Sequence, residues 1–268
     1  MNTRRSDGHP TEWDAASYHR LADPQFVWGR KVLDRLVLRG DESVVDAGCG
    51  SGRLTELLLE RLPTGRVIAI DRSENMLAEA QKTLARFGER VRYLSADLEQ
   101  LSLDEPVDVV FSTATFHWVP NHDSLFRHLY ACLKPGGVLH AQCGGGANLA
   151  HIHERAKALL AQEPYTSRFV AFREPWNFQD DLSTRERLQR AGFNAVLTDL
   201  EVTPTVIADR ERYKGFLRTV ILRAHLAQIG NEAQAEAFLE QMTLLAETDT
   251  PPFSLDYVRL NMHATKPA

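Results

Sequence analysis

The stretch Val44-Val45-Asp46-Ala47-Gly48-Cys49-Gly50-Ser51-Gly52 decides the fold. Two β-branched residues end a short apolar run. An acid follows, and three glycines then stand on alternate positions before an amphipathic segment. That order reads as strand, tight loop and helix, the opening of an α/β nucleotide-type site. Glycine lets such a loop turn sharply and lets a ligand approach the backbone. The helix start offers N–H groups and a positive dipole end to an anion. Glycine spacing discriminates between ligands. The dinucleotide fingerprint G-x-G-x-x-G is met at Gly48 and Gly50, but its third place is Arg53; the third glycine is Gly52. This weakens a pyrophosphate reading. The plain alternative is an ordinary turn with structural glycines.

The pattern D-x-G-x-G-x-G, Asp46 to Gly52, resembles motif I of the class I methyltransferases that use S-adenosylmethionine (SAM). SAM has no phosphate; it carries an ammonium, a carboxylate and a sulfonium. Asp46 is then expected opposite the cationic part. Gly48, Gly50 and Gly52 would form the cradle whose amides meet the carboxylate.

Downstream residues extend the pattern. The helix after the loop carries Leu54, Leu57, Leu58 and Leu62 on one face. The second strand, Val67–Ile70, is continuously apolar, as a buried parallel strand should be, and ends in Asp71. An acid there is placed for both ribose hydroxyls of an adenosine, with Arg72 beside it. A helix-capping role is weaker, because Ser73 already offers a cap. A helix over Ser73 to Phe87 follows, stopped by Gly88. Met76 on it is either core or near an adenine. After the third strand, Val91–Leu94, Asp97 is expected on the adenine amino group, with Leu98 next to it.

The fourth strand, Val107–Phe111, runs into Ser112-Thr113-Ala114-Thr115-Phe116-His117-Trp118. In an open α/β sheet the ligand lies beyond the carboxyl ends of the strands, at the switch in strand order. Ser112 to Trp118 should therefore line the reaction site. His117 is expected to bind an acidic substrate or take a proton, the alternative being a satisfied structural histidine. Trp118 walls the pocket or simply packs. Lys134-Pro135-Gly136-Gly137 turns into a fifth strand, Val138–Gln142. Tyr165, Phe169, Phe172 and Trp176, with Arg168 and Arg173, form either a substrate rim or a packed connector. A sixth strand falls within Phe193–Val206. Helices follow over 210–246, with Phe238, Leu239, Met242 and Leu245 as an apolar stripe, and Asp256–Ala264 supplies a final strand. Near the start, Trp13 and Tyr18 either cap the core edge or fold over the cofactor as a lid.

Bulk composition sets outer limits. The 268 residues allow one large domain or a domain with an appended lid. A formal charge of −5 gives no reason to expect nucleic acid as the partner. There is no apolar run long enough to span a membrane, and Arg4 and Arg5 are not followed by a secretory signal. Cys49, Cys132 and Cys143 have no metal-ligand or CxxC spacing, so no metal and a reduced, cytoplasmic setting are expected.

Taken together, the Asp46–Gly52 loop, Asp71, Asp97, the strand around Asp108–Phe111 and the Lys134–Gly137 turn resemble the class I SAM-dependent methyltransferases over roughly residues 40–145. The resemblance implies an α/β, Rossmann-like, seven-stranded, mostly parallel sheet in order 3-2-1-4-5-7-6. Its seventh strand would be antiparallel, with helices on both faces and a helical lid. It implies an N-terminal lid or helical segment over 1–40, then a methyltransferase domain over 41–268 with a helical insertion near 209–247. Ala114 to His122, with the Trp13-x4-Tyr18 pair, is also similar to small-acid carboxyl methyltransferases. The trans-aconitate methyltransferases are nearest in layout, and related sequences methylate other small molecules. A carboxylate acceptor needs a cationic or hydrogen-bonding partner. Trp13, Tyr18, His117 and Trp118 are the candidate acceptor-binding residues, with Arg20, Arg173 and Arg223 as further cations. A hydroxyl or carbon acceptor would instead need a base, first His117. A SAM-binding regulator without catalysis is the non-enzymatic alternative.

Overall fold

The computed structural model describes residues 23–268. In chain order its main elements are α1 (Asp23–Arg35), β1 (Ser43–Ala47), α2 (Arg53–Glu60), β2 (Arg66–Asp71), α3 (Glu74–Thr83), β3 (Val91–Ser95), β4 (Val107–Thr113) and α4 (His122–Cys132). Then come β5 (Leu133–Gly144), α5 (Ala150–Leu160), α6 (Asp181–Arg190), β6 (Asn194–Val202), α7 (Arg210–Phe216), α8 (Arg223–Ile229), α9 (Glu232–Ala246) and β7 (Val258–Thr265). Trp13, Tyr18 and Arg20 lie outside the described residues.

Seven strands form one sheet in the order β3-β2-β1-β4-β5-β7-β6. Strands β1 to β5 are parallel, and β7 runs antiparallel to both its neighbours. The order reverses at β1, which pairs with β2 on one side and β4 on the other. That reversal opens the crevice where ligands bind in such sheets.

The two-residue strand period sorts side chains between two layers. Val44, Val109 and Phe111 pack with Leu33 of α1, Leu58 of α2 and Leu77 of α3. Val45, Ala47 and Val110 pack on the opposite face with Phe126 of α4 and Leu188 of α6. A third apolar cluster joins α5, α7, α8 and α9 to Trp28 and Tyr257. Among the described residues no helix is long and apolar enough to cross a membrane.

Three local expectations shift. α3 ends at Thr83, and a 3-10 turn over Ala85–Arg90 replaces its last part, because Gly88 at φ +55 and ψ −130 cannot continue a helix. β5 begins at Leu133, which pairs with Val107; the register then shifts before Val109 meets Val138. Lys134 at this irregularity holds both carboxylate oxygens of Asp108 at 2.9 Å. On α9, Phe238, Leu239 and Met242 are fully buried, but Leu245 is turned to solvent at 42% exposure.

Between α7 and α8 the chain makes a π-type turn, Leu217–Ile221, closed by the Leu222 amide donating to the Leu217 carbonyl at 2.7 Å. Such widened turns recur at functional sites. Here the turn brings Val220, Ile221 and Arg223 to the rim of the two cavities described below.

Candidate active site

The loop after β1 is tied to the end of β2. The Gly48 and Cys49 amides both donate to the Ile70 carbonyl at 2.8 Å. The Gly50 amide donates to one carboxylate oxygen of Asp71 and the Ser73 amide to the other, each at 2.9 Å. Ser73 caps α3 through the Met76 amide at 3.2 Å. Asp71 thus fixes both the glycine loop and the start of α3. Each oxygen of the Asp71 carboxylate therefore accepts at least one backbone amide. Gly50, at φ +54, has nothing within 4 Å of where a Cβ would stand. That open space belongs to a cleft of about 950 Å³, open mouth included.

The cleft gathers Gly48, Gly50, Asp71, Arg72, Met76, Asp97 and Leu98. Arg72 lies 3.5 Å from Asp97, whose other oxygen accepts from the Glu99 amide at 3.0 Å. On the far side are Thr113, Ala114, Thr115 and Trp118, with Arg223 at the rim. This is the carboxyl edge of β1, β2, β3 and β4, where the strand order predicts a ligand.

Three residues read from the sequence as cofactor contacts do not line this cleft. Gly52 caps α2 at φ +84 and faces α3; a Cβ there would stand 3.2 Å from Ala80 Cα. It permits helix packing, not ligand approach. Ser112 donates its hydroxyl to the Ala47 carbonyl at 2.6 Å, joining β4 to β1 below the cleft floor. Asp46 shares the sheet face of Val44, beneath α2, where it accepts a 2.6 Å hydrogen bond from the Thr55 hydroxyl.

Burial pushes the Asp46 carboxyl up to about 7, Thr55 opposing the shift and the Asp71 charge adding to it. The folded pKa lies above the unfolded one, so folding favours the protonated form. Its stabilisation is full below the ordinary value of 3.8 and is lost as pH rises to about 7. The span is on the order of 4 kcal/mol. Asp46→Asn keeps an acceptor for Thr55 and cannot ionise. Denaturant unfolding from pH 4 to 8 should show the variant gaining on the parent up to about pH 7, then holding level. A constant difference would contradict this.

β4 leaves the sheet through Ala114, a non-glycine residue at φ +54 whose amide donates to the Gln142 carbonyl at 2.8 Å. Phe116 then plunges into the core, edge-on to Phe126 at 6.2 Å. That anchor carries His117 and Trp118 across the carboxyl edge of the sheet, where both line the cavities. Behind Trp118 lies a second, smaller cavity, about 420 Å³ with its open mouth included. Ala114 and Trp118 line both cavities, so the two meet there. Leu149, also left-handed at φ +56, lines the second cavity. Strained backbone of this kind clusters at functional sites.

The second cavity mixes aromatic and aliphatic walls, Trp176, Phe178, Val220, Ile221 and Tyr257, with polar groups from Gln25, His117, Asn148, Arg259 and the Tyr257 hydroxyl. Arg259, on β7, is 3% exposed, with its guanidinium 4.8 Å from the Trp28 ring centre. The Asn148 side chain accepts from the Val258 amide at 3.0 Å and so fixes the start of β7.

His117 is buried, and the Gly144 amide donates to its Nδ1 at 3.2 Å. Nδ1 is therefore the acceptor nitrogen and the ring proton sits on Nε2. Burial, with Arg259 and His122 adding positive charge nearby, holds its pKa well below the ordinary value. His117 is a neutral donor with no free lone pair, which argues against the base role read from the sequence. Of the other candidates, Arg223 lines the cleft, whereas Arg173 is exposed and reaches neither cavity.

Arg259, Gln25, Asn148 and Phe178 were not singled out from the sequence. Arg259 carried a usable signal: an arginine between apolar residues of a strand, at the sheet edge that holds ligands, is seldom buried without a purpose. Gln25 and Asn148 carried none.

Comparison with known proteins agrees with this architecture. A methyltransferase-domain family profile matches residues 44–137. A trans-aconitate 2-methyltransferase of Methylobacterium nodulans is 30% identical over 249 residues, spanning 90% of this chain and 91% of that one. The enzyme of the same name from Rhodopseudomonas palustris strain BisB18 is 33% identical over 183 residues, 68% of this chain and 65% of that one. Among solved structures, a Haemonchus contortus phosphoethanolamine N-methyltransferase 2 in complex with SAM superposes with a TM-score of 0.61 at 20% identity. The superposition covers 95% of this chain and 57% of that one, and shows a shared fold. The chain is a class I SAM-dependent methyltransferase and belongs to the trans-aconitate methyltransferase family.

Proposed function

We propose that the enzyme transfers the methyl group of SAM to a carboxylate of a small organic acid, with SAM in the larger cleft and the acid in the cavity behind Trp118. The observation that carries this reading is the junction of the two cavities at Ala114 and Trp118. In it, Asp71 takes the ribose hydroxyls, Asp97 the adenine amino group, and Met76 and Leu98 the adenine faces. The Gly48–Gly50 backbone receives the amino-acid end. The relatives named above, which act on an acid, support the choice of acceptor.

When bound, SAM supplies an electrophilic methyl group on a positively charged sulfur. The chain's residues then need only bring the acceptor into line and keep water out. A carboxylate is already a nucleophile and requires no base. Its needs are a cation and hydrogen-bond donors, which Arg259 and the Nε2–H of His117 provide. Trp13 and Tyr18 belong to this proposal only as candidates for covering the acceptor.

The test is transfer from methyl-labelled SAM to a panel of carboxylic acids, followed by mild alkali. Release of the label as methanol is expected of a methyl ester. A label retained through alkali would move the acceptor to another oxygen, nitrogen or carbon. Substitution of His117 separates the same alternatives. His117→Asn leaves an acceptor near the Gly144 amide, so a donor or positioning role predicts a loss within about tenfold. A general base would cost about 100- to 10,000-fold.

A further inference from the structure

We infer that Asn148 is an acceptor-binding residue: its side-chain NH2 group and the Nε2–H of His117 form a pair of neutral donors that grip one carboxylate of the acceptor. This rests on the proposed carboxyl transfer and adds a residue to that same cavity.

Asn148 is 3% exposed and lines the second cavity. Its amide has one orientation that suits its surroundings. Oδ1 accepts from the Val258 amide at 3.0 Å, so the other end, Nδ2, carries the two donors. Among the described residues the Asn148 side chain makes this one hydrogen bond. A buried donor is costly to leave unpaired, and a ligand in the cavity it lines supplies the acceptor.

The main chain locks Asn148 in place. Its amide donates to the Gly145 carbonyl at 3.2 Å, and the Gly145 amide donates to the Val258 carbonyl at 3.2 Å. The Leu149 amide donates to the Asp256 carbonyl at 3.0 Å. Leu149 is left-handed at φ +56, a conformation that persists only where the surroundings over-determine it. The turn after β5 is thus pinned to the start of β7, and the carboxamide is oriented before any acceptor arrives. Such preorganisation lowers the ordering cost of binding.

Gly144 links the two donors. Its amide donates to Nδ1 of His117 at 3.2 Å, which leaves the proton of that ring on Nε2. A Cβ on Gly144 would stand 2.9 Å from Asn148 Nδ2 and 2.7 Å from Phe178 Cε1. One glycine therefore orients the imidazole with its N–H and makes room for the carboxamide with its bare Cα. Both side chains turn an acceptor atom to a backbone N–H and keep donors for the cavity. From this pair a ligand meets N–H groups and no lone pair. That suits the oxygens of a carboxylate and does not suit an O–H or N–H group, which needs an acceptor.

Asn148→Asp isolates the donor role. One carboxylate oxygen keeps the Val258 amide, so the tie to β7 survives. The other oxygen replaces the NH2 group and meets the acid as a like charge. Calorimetry on the full chain saturated with S-adenosylhomocysteine reads acceptor binding apart from turnover. The probe is trans-aconitate, the acid in the relatives' names, or, if that takes no label, the acid of the panel that does. At about pH 8 the variant should bind the acid at least about tenfold more weakly than the parent, with S-adenosylhomocysteine affinity unchanged. The gap should narrow toward about pH 5, as the introduced carboxyl gains a proton and becomes a donor again. A residue that only tied the turn to β7 would give parent-like acid affinity at every pH. A melting curve shows whether the variant folds. A crystal structure of the parent with S-adenosylhomocysteine and the same acid needs no variant: Nδ2 of Asn148 is expected within hydrogen-bonding distance of a carboxylate oxygen.

Unaltered acid affinity in a folded Asn148→Asp would overturn the inference and leave carboxyl transfer intact. So would a parent complex with every carboxylate out of reach of Nδ2. Label transferred to no acid, or stable to alkali on every acceptor, would instead remove the carboxyl reading and this inference with it.

Discussion

Asp71→Ala is expected to weaken SAM binding by at least about 100-fold, since on the proposed reading its carboxylate takes two charge-assisted hydrogen bonds from the ribose. The structure adds a second reason. Both carboxylate oxygens are already engaged, one by the Gly50 amide and one by the Ser73 amide, each at 2.9 Å. Removing the carboxylate unties the glycine loop and loosens the start of α3 along with the proposed ribose contact. Asp71→Asn divides these roles. Its single carbonyl oxygen can serve one amide, and its NH2 group would oppose the other. It is therefore expected to bind SAM almost as poorly as the alanine variant. Calorimetric titration with SAM reads the effect, and normal affinity in either variant would remove Asp71 from the cofactor's contacts.

The other large effect is expected at Gly48. Its φ is +89, a conformation that costs an ordinary residue about 1–2 kcal/mol. A Cβ there would stand 2.0 Å from Thr115 Oγ1, 2.4 Å from Cγ2 and 2.6 Å from Cβ. Thr115 cannot simply swing aside. Its hydroxyl is held by the Thr113 carbonyl at 3.0 Å and the Gly48 carbonyl at 3.3 Å, and the contact reaches back to its Cβ. Relief has to come from moving the Ala114–Trp118 turn, which is the wall shared by the two cavities. Overpacking adds about 1–3 kcal/mol, for roughly 2–5 kcal/mol in all. Gly48→Ala should melt roughly 5–15 °C lower and lose methyl transfer. Gly136→Ala is the control. It has φ +77 but nothing within 4 Å of the added Cβ, so it bears the backbone cost alone. Equal melting losses in the two variants would show that the approach to Thr115 is unimportant.

These two positions were legible in the sequence because local chemistry dictates them. A glycine must stand where the chain turns at positive φ, and an acid at the end of β2 needs only the βαβ order to be placed. The strand order was legible through the resemblance to the class I methyltransferases, while the residues themselves showed that β2, a continuous apolar run, requires cover on both faces. Side-chain direction was harder. Asp46 belongs to the same motif as Gly48, but the two-residue strand period turns it under α2, onto Thr55 and away from the cleft. Ser112 fails to reach the cleft for the same kind of reason, its hydroxyl turned down to the Ala47 carbonyl.

The acceptor cavity was the least legible part. Its lining comes from α1, the turn after β4, the segments around Asn148 and Trp176, the π-type turn and β7, which are far apart in the chain. Nothing local announces that Arg259 and His117 approach closely enough to affect each other's charge. That proximity is a product of the antiparallel pairing of β7 with β5, which sets Gly144 opposite Arg259 while the Gly144 amide holds His117. The aromatic residues from Tyr165 to Trp176 suggested either a rim or a connector. Trp176 does enter the cavity wall, whereas Tyr165 caps the helical cluster, its hydroxyl donating to the Gln234 carbonyl at 3.1 Å.

The central claim is that methyl donor and acceptor occupy adjoining cavities that meet at Ala114 and Trp118. A crystal structure of the full chain with S-adenosylhomocysteine tests it most directly. The ribose is expected on Asp71, the adenine against Asp97 and Leu98, and the sulfur directed toward Ala114, facing the cavity that contains Arg259. A ligand seated elsewhere, or bound in the cleft with its sulfur turned away from Trp118, would contradict it.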